Sequence, residues 1–123
     1  MLALERGGRC AGLLFRISAA DARAELLLAW RRELFTGAYQ SRWVTATTTE
    51  GPVRAVTFVA NRAHLRYAGR LDDALVAAHL ATATGTLGSC AAYLASTLDA
   101  LHTAGLRDRG LERLWMLVGK QQG

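Results

Sequence analysis

Proline is almost absent from this chain: Pro52 is the single one among 123 residues. With no proline-rich stretch, no low-complexity tract and no sustained repeat, nothing marks an internal linker. One globular unit is therefore expected at this length. Lysine is equally scarce, Lys120 being the one lysine among 15 basic residues. The arginines are scattered from Arg6 to Arg113, with no run longer than Arg31-Arg32, so the net charge of +5 has no basic stripe or tail. Nucleic-acid binders concentrate such charge on one face, and no nucleic-acid partner is expected here.

Cysteine is limited to Cys10 and Cys90, far apart and without a CxxC spacing. Two reduced, mostly buried thiols are expected, with no zinc or other metal site. No stretch reaches the roughly 18 uninterrupted apolar residues of a membrane span. Met1 to Leu4, followed at once by Glu5 and Arg6, is too short for a signal peptide. A soluble cytoplasmic protein without a membrane partner follows as the expectation.

What is present is apolar: 51 % of residues are hydrophobic and only 20 % charged, which excludes a disordered tail. Cys10 to Ile17, with Leu13, Leu14, Phe15 and Ile17, predicts a largely buried strand. Ser18 is placed as a helix N-cap, and a helix is predicted from about Ala19 to Phe35, ended by Gly37. Arg42 to Thr48 and Val53 to Val59 are rich in β-branched residues, and Glu50-Gly51-Pro52 between them reads as a turn. After a loop from Asn61 to Leu71, helices are predicted over about 72–84, 89–103 and 108–117. The order β-α-β-β-α-α-α describes an α+β fold with a small antiparallel sheet and a helical C-terminal half.

The first helix holds the most informative residue. At about 100° per residue, Ala22, Leu26, Ala29 and Trp30 share one arc, and Glu33 falls inside it. A carboxylate on an apolar face must be paired, hydrogen-bonded or neutral, because burying it ionised and alone is costly. Position leaves two readings open: a structural glutamate held by an arginine at a helix end, or a functional acid/base.

Trp30-Arg31-Arg32-Glu33, then Gly37-Ala38-Tyr39 and Trp43-Val44, resembles the signature around the catalytic glutamate of ChaC-like γ-glutamylcyclotransferases. Further stretches follow in the family's order: Gly12 to Ile17, Tyr67-Ala68-Gly69, Gly88 to Leu94, and Gly105-Leu106-Arg107-Asp108. The resemblance runs from about Arg9 to Val118. It implies one γ-glutamylcyclotransferase-like domain across the chain, with a small barrel-like sheet and helices packed around it. The implied reaction converts glutathione, or another γ-glutamyl compound, into 5-oxoproline and a released amine. No metal or cofactor is implied.

By the same resemblance Glu33 is the general acid/base, and Tyr39, Tyr67 and Tyr93 line or support the substrate pocket. Arg32, Gly37 and Gly69 are supporting residues, the glycines through turn geometry. His64, His79 and His102 match nothing catalytic and read as ordinary loop or helix positions. The family pattern opens with a strand and a Tyr-Gly-Ser-Leu loop, and no Tyr-Gly-Ser-Leu occurs here. The resemblance thus implies an N-terminally truncated domain with uncovered surface, from which a homodimer is expected. A catalytically inactive remnant is the alternative.

Overall fold

The computed structural model describes residues 2–86 and 88–123. The chain forms two compact units, one of Leu2–Gly8 with Leu14–Gly69, the other of Arg9–Leu13 with Arg70–Gly123.

The first unit holds helix α1 (Ala22–Leu34) and strands β1 (Tyr39–Thr48) and β2 (Gly51–Ala60). The strands pair antiparallel in one register, from Tyr39 opposite Ala60 to Thr48 opposite Gly51. Opposite residues share a face, so Tyr39, Ser41 and Trp43 stand on the side of Ala60, Phe58 and Val56. That side receives α1, whose Trp30 meets Phe58 edge-on, 5.8 Å between ring centroids. The connection is a two-residue turn at Thr49-Glu50. Gly51, at φ 110°, already belongs to β2, so the expected Glu50-Gly51-Pro52 turn sits one residue early.

The second unit holds α2 (Asp73–Thr82), the short strands β3 (Thr84–Gly85) and β4 (Gly88–Ser89), α3 (Cys90–Thr103) and α4 (Arg109–Gln122). Ala91, Leu94 and Leu98 lie three and four apart on α3, and with Ala77 of α2 and Val118 of α4 they form the buried core. Ser89 caps α3 by accepting from the Ala92 amide at 3.1 Å, and Asp108 caps α4 by accepting from Leu111 at 3.0 Å. Arg113 of α4 reaches Asp73 at the start of α2, 2.6 Å away.

The α+β class, the hairpin and all four helices appear in the predicted order. The strand predicted over Cys10–Ile17 does not form, and Phe15 is 81 % exposed. Strand propensity describes how a side chain fits a paired, half-covered surface. Among the described residues this run has no ladder neighbour, and the β2 position at Val59 is bridged by Leu4 instead. Both ladders are two-stranded, so the barrel-like sheet implied by the resemblance has no counterpart among the described residues. Cys10, expected buried, is exposed, and both thiols are free.

Candidate active site

Along α1 the partly covered residues are Ala22, Leu26, Ala29, Trp30, Glu33 and Leu34, while the other positions are exposed. This stripe is the arc drawn from helical periodicity, and Glu33 lies within it with a side chain only 16 % exposed. Arg32 donates its Nε hydrogen to Glu33 Oε1 at 2.9 Å. The arginine side chain is 80 % exposed, and ion pairs of that kind contribute roughly 0–1 kcal/mol. The contact nonetheless gives Glu33 the paired, hydrogen-bonded state that a carboxylate on a covered stripe needs, as the structural reading requires.

Tyr39 opens β1 on the sheet face that receives α1, a few residues beyond Glu33. The corner between them contains Gly37 at φ 75°, a left-handed conformation that favours glycine. Three consecutive carbonyls of this corner accept hydrogen bonds from one distant loop. His64 Nε2 lies 2.8 Å from Thr36 O, Asn61 Nδ2 donates to Gly37 O at 2.9 Å, and the Asn61 amide donates to Ala38 O at 2.8 Å.

The same loop carries Tyr67. Its amide donates to His64 O at 3.0 Å, and its hydroxyl donates to Glu5 Oε1. Glu5 is also paired with Arg62 Nε at 3.0 Å, and Arg62 Nη2 reaches Arg6 O at 3.0 Å. The hydrogen bond to Glu5 raises the Tyr67 phenol above its ordinary value, desolvation and the Glu5 charge add to the rise, and Arg62 partly offsets it. Gly69, at φ 72°, turns the chain just beyond.

The sequence-derived residues thus separate into two groups. Glu33, Arg32, Gly37, Tyr39, Tyr67 and Gly69 fall in the first compact unit. Tyr93 stands on α3 in the second, 47 % exposed, while its neighbours Ala91 and Leu94 supply the core. Periodicity and motif reading missed Glu5, Asn61 and His64. Glu5 precedes every recognisable element, and an Asn or His in a loop has no spacing signal of its own. Among the described residues no cluster of three or more His, Cys, Asp or Glu side chains could hold a metal ion. No helix among them is long and apolar enough to cross a membrane.

Glu33, the Gly37 corner and Tyr39 thus lie close along the chain, with the Tyr67 loop hydrogen-bonded to that corner. The family described as ChaC-like protein matches residues 1–121. The glutathione-specific gamma-glutamylcyclotransferase of Escherichia coli (strain K12) is 36 % identical over 121 residues, 98 % of this chain and 52 % of that protein. The chain therefore spans about half the length of the curated relative it matches. On a match covering nearly its whole length, this chain belongs to the ChaC-like protein family.

Proposed function

We propose that this chain is part of a γ-glutamylcyclotransferase, one partial domain over 1–123, that cleaves glutathione to 5-oxoproline and Cys-Gly. The single observation that carries the reading is Glu33, a carboxylate 16 % exposed on the covered stripe of α1. The name of the E. coli relative supports glutathione as the substrate.

The chemistry needs no enzyme nucleophile. Glu33 takes a proton from the substrate's α-ammonium, and the freed amine attacks the γ-carbonyl carbon to close a five-membered lactam. The γ-amide C–N bond then breaks as Glu33 returns a proton to the departing cysteine nitrogen. Over the whole reaction two protons leave the attacking nitrogen and two arrive on the leaving one. General acid/base catalysis of this type contributes about 10²–10⁴-fold. Tyr39, Tyr67 and Tyr93 serve in this reading as substrate-binding residues, the Tyr67 hydroxyl exchanging its Glu5 partner for the substrate. Arg32 supports Glu33 by its hydrogen bond, and Gly37 and Gly69 support the site by their turns. A cytoplasmic location, where glutathione is abundant, belongs to the same reading. So does a homodimer, supported by apolar side chains left exposed at Leu14, Phe15, Leu27 and Leu28.

The test is 5-oxoproline release from glutathione by the purified chain beside its Glu33→Gln variant. Release by the wild type that falls at least about 100-fold in the variant is expected. Equal release by both would remove Glu33 from the chemistry. No release by either, from folded protein, would favour the inactive alternative.

A further inference from the structure

The corner that joins Glu33 to Tyr39 has two short-range hydrogen bonds of its own, Gly37 N–H to Leu34 O at 3.1 Å and Ala38 N–H to Thr36 Oγ1 at 3.3 Å. Its own carbonyls are satisfied from elsewhere. A left-handed residue at Gly37 costs conformational entropy, and the Thr36, Gly37 and Ala38 carbonyls all need partners. The loop after β2 supplies all three, two from Asn61 and one from His64. His64 is used twice. The Arg66 amide donates to its Nδ1 at 3.1 Å, which requires a lone pair there. Nε2 must then carry the hydrogen and donate to Thr36 O, 2.8 Å away. The hydrogen-bond network thus assigns a single tautomer. That ring spans from the end of the Glu33 helix to the residue before Tyr67.

We propose that His64 is a positioning residue for the cyclotransferase reaction, its Nε2-protonated ring tying the Glu33–Tyr39 corner to the loop that carries Tyr67. The inference rests on the proposed function for its consequence in catalysis, and on geometry alone for the tie itself. His64 touches neither substrate nor Glu33 in this role. It acts by holding the backbone from which Glu33, Tyr39 and Tyr67 project. Misplacement of about 1 Å at a reacting group can cost on the order of 100-fold in rate.

Three variants separate the two ends of the ring. His64→Gln keeps a donor near the Nε2 position, His64→Asn keeps an acceptor near Nδ1, and His64→Ala keeps neither. With glutathione as substrate, kcat is expected to fall about 10–100-fold in H64A with little change in KM. H64Q should recover more of the rate than H64N, because the tie to Thr36 runs through Nε2. A rise in KM with unchanged kcat, or H64A turning over like the wild type, overturns the proposal.

NMR provides a readout independent of turnover. The imidazole ¹⁵N shifts of the wild type should show the Nε2–H tautomer, and finding Nδ1–H overturns the proposal even if H64A fails to fold. In H64A the Glu33 carboxyl carbon and the Gly37 to Tyr39 amides should move, and in H64Q they should return toward wild-type positions. Those shifts without any wild-type turnover would support the tie and favour the inactive alternative. Turnover with unmoved resonances would do the reverse.

Discussion

Glu33 and Tyr67 illustrate how neighbouring chemistry sets what a side chain does. Glu33 gains its character from a helix stripe and lies against an exposed arginine, so its surroundings are partly apolar on one side and wet on the other. Tyr67 instead has its hydroxyl committed to Glu5. A phenol that donates to a carboxylate resists ionisation, since losing its proton would set two anions side by side. The sign follows: with the folded value raised, the contribution of Tyr67 to stability is complete below its ordinary value and is lost as pH rises through the raised one. Ultraviolet titration resolved for Tyr67 should show its phenol ionising above the ordinary value near 10.0, and Glu5→Gln should bring it back toward that value. A Tyr67 phenol that titrates at its ordinary value in the wild type would show that the Glu5 contact is not maintained in solution.

At the scale of elements, the join between α3 and α4 carries the clearest electrostatic device. Arg107 just before α4 donates two hydrogen bonds to Glu112 in its first turn, at 3.0 and 2.7 Å, and His102 at the end of α3 lies 3.2 Å from the same carboxylate. The Arg107 hydrogen bonds chiefly, then that of His102, lower the Glu112 carboxyl from 4.5 to about 2. Its ionised form is therefore favoured by folding. The stabilisation is present above pH 4.5 and disappears as pH falls toward about 2. Urea midpoints should drop across that window, and the drop attributable to this group should be absent in Glu112→Gln. A variant whose midpoints keep the wild-type pH slope would show that other carboxylates dominate. Because the cluster is exposed, added salt should weaken the effect.

At the scale of the molecule, the two compact units differ in what holds them. The buried hydrophobic core among the described residues (Ala77, Ala91, Leu94, Leu98 and Val118) belongs to the unit of α2, α3 and α4. The unit that carries Glu33 relies on the β1–β2 ladder, the Trp30–Phe58 contact and the hydrogen bonds of the Asn61–His64 loop. Segments with little buried apolar surface open at lower free energy. Hydrogen exchange should accordingly run faster in the amides of α1 than in those of α3 and α4. Equal protection in all three helices would show that α1 is held by more than the contacts described here.

Much of this was legible without coordinates. The four helices, the hairpin and the covered arc of α1 followed from periodicity and from glycines at element ends, because those signals act between residues three or four apart. Ser18, read as the first N-cap, nonetheless stands before a helix that begins at Ala22 with Asp21 as its N-cap. Glu33 stood out for the same local reason, a carboxylate in an apolar stripe, and the family resemblance was carried by short contiguous strings. Tertiary structure alone decided the rest. Cys10–Ile17 has the composition of a strand but no partner among the described residues, so strand propensity had nothing to pair with. Glu5 meets Tyr67 across 62 positions, and His64 reaches Thr36 across 28. No local pattern encodes such a meeting, since it exists only once the turn at Gly37 and the β1–β2 register have brought distant backbone together.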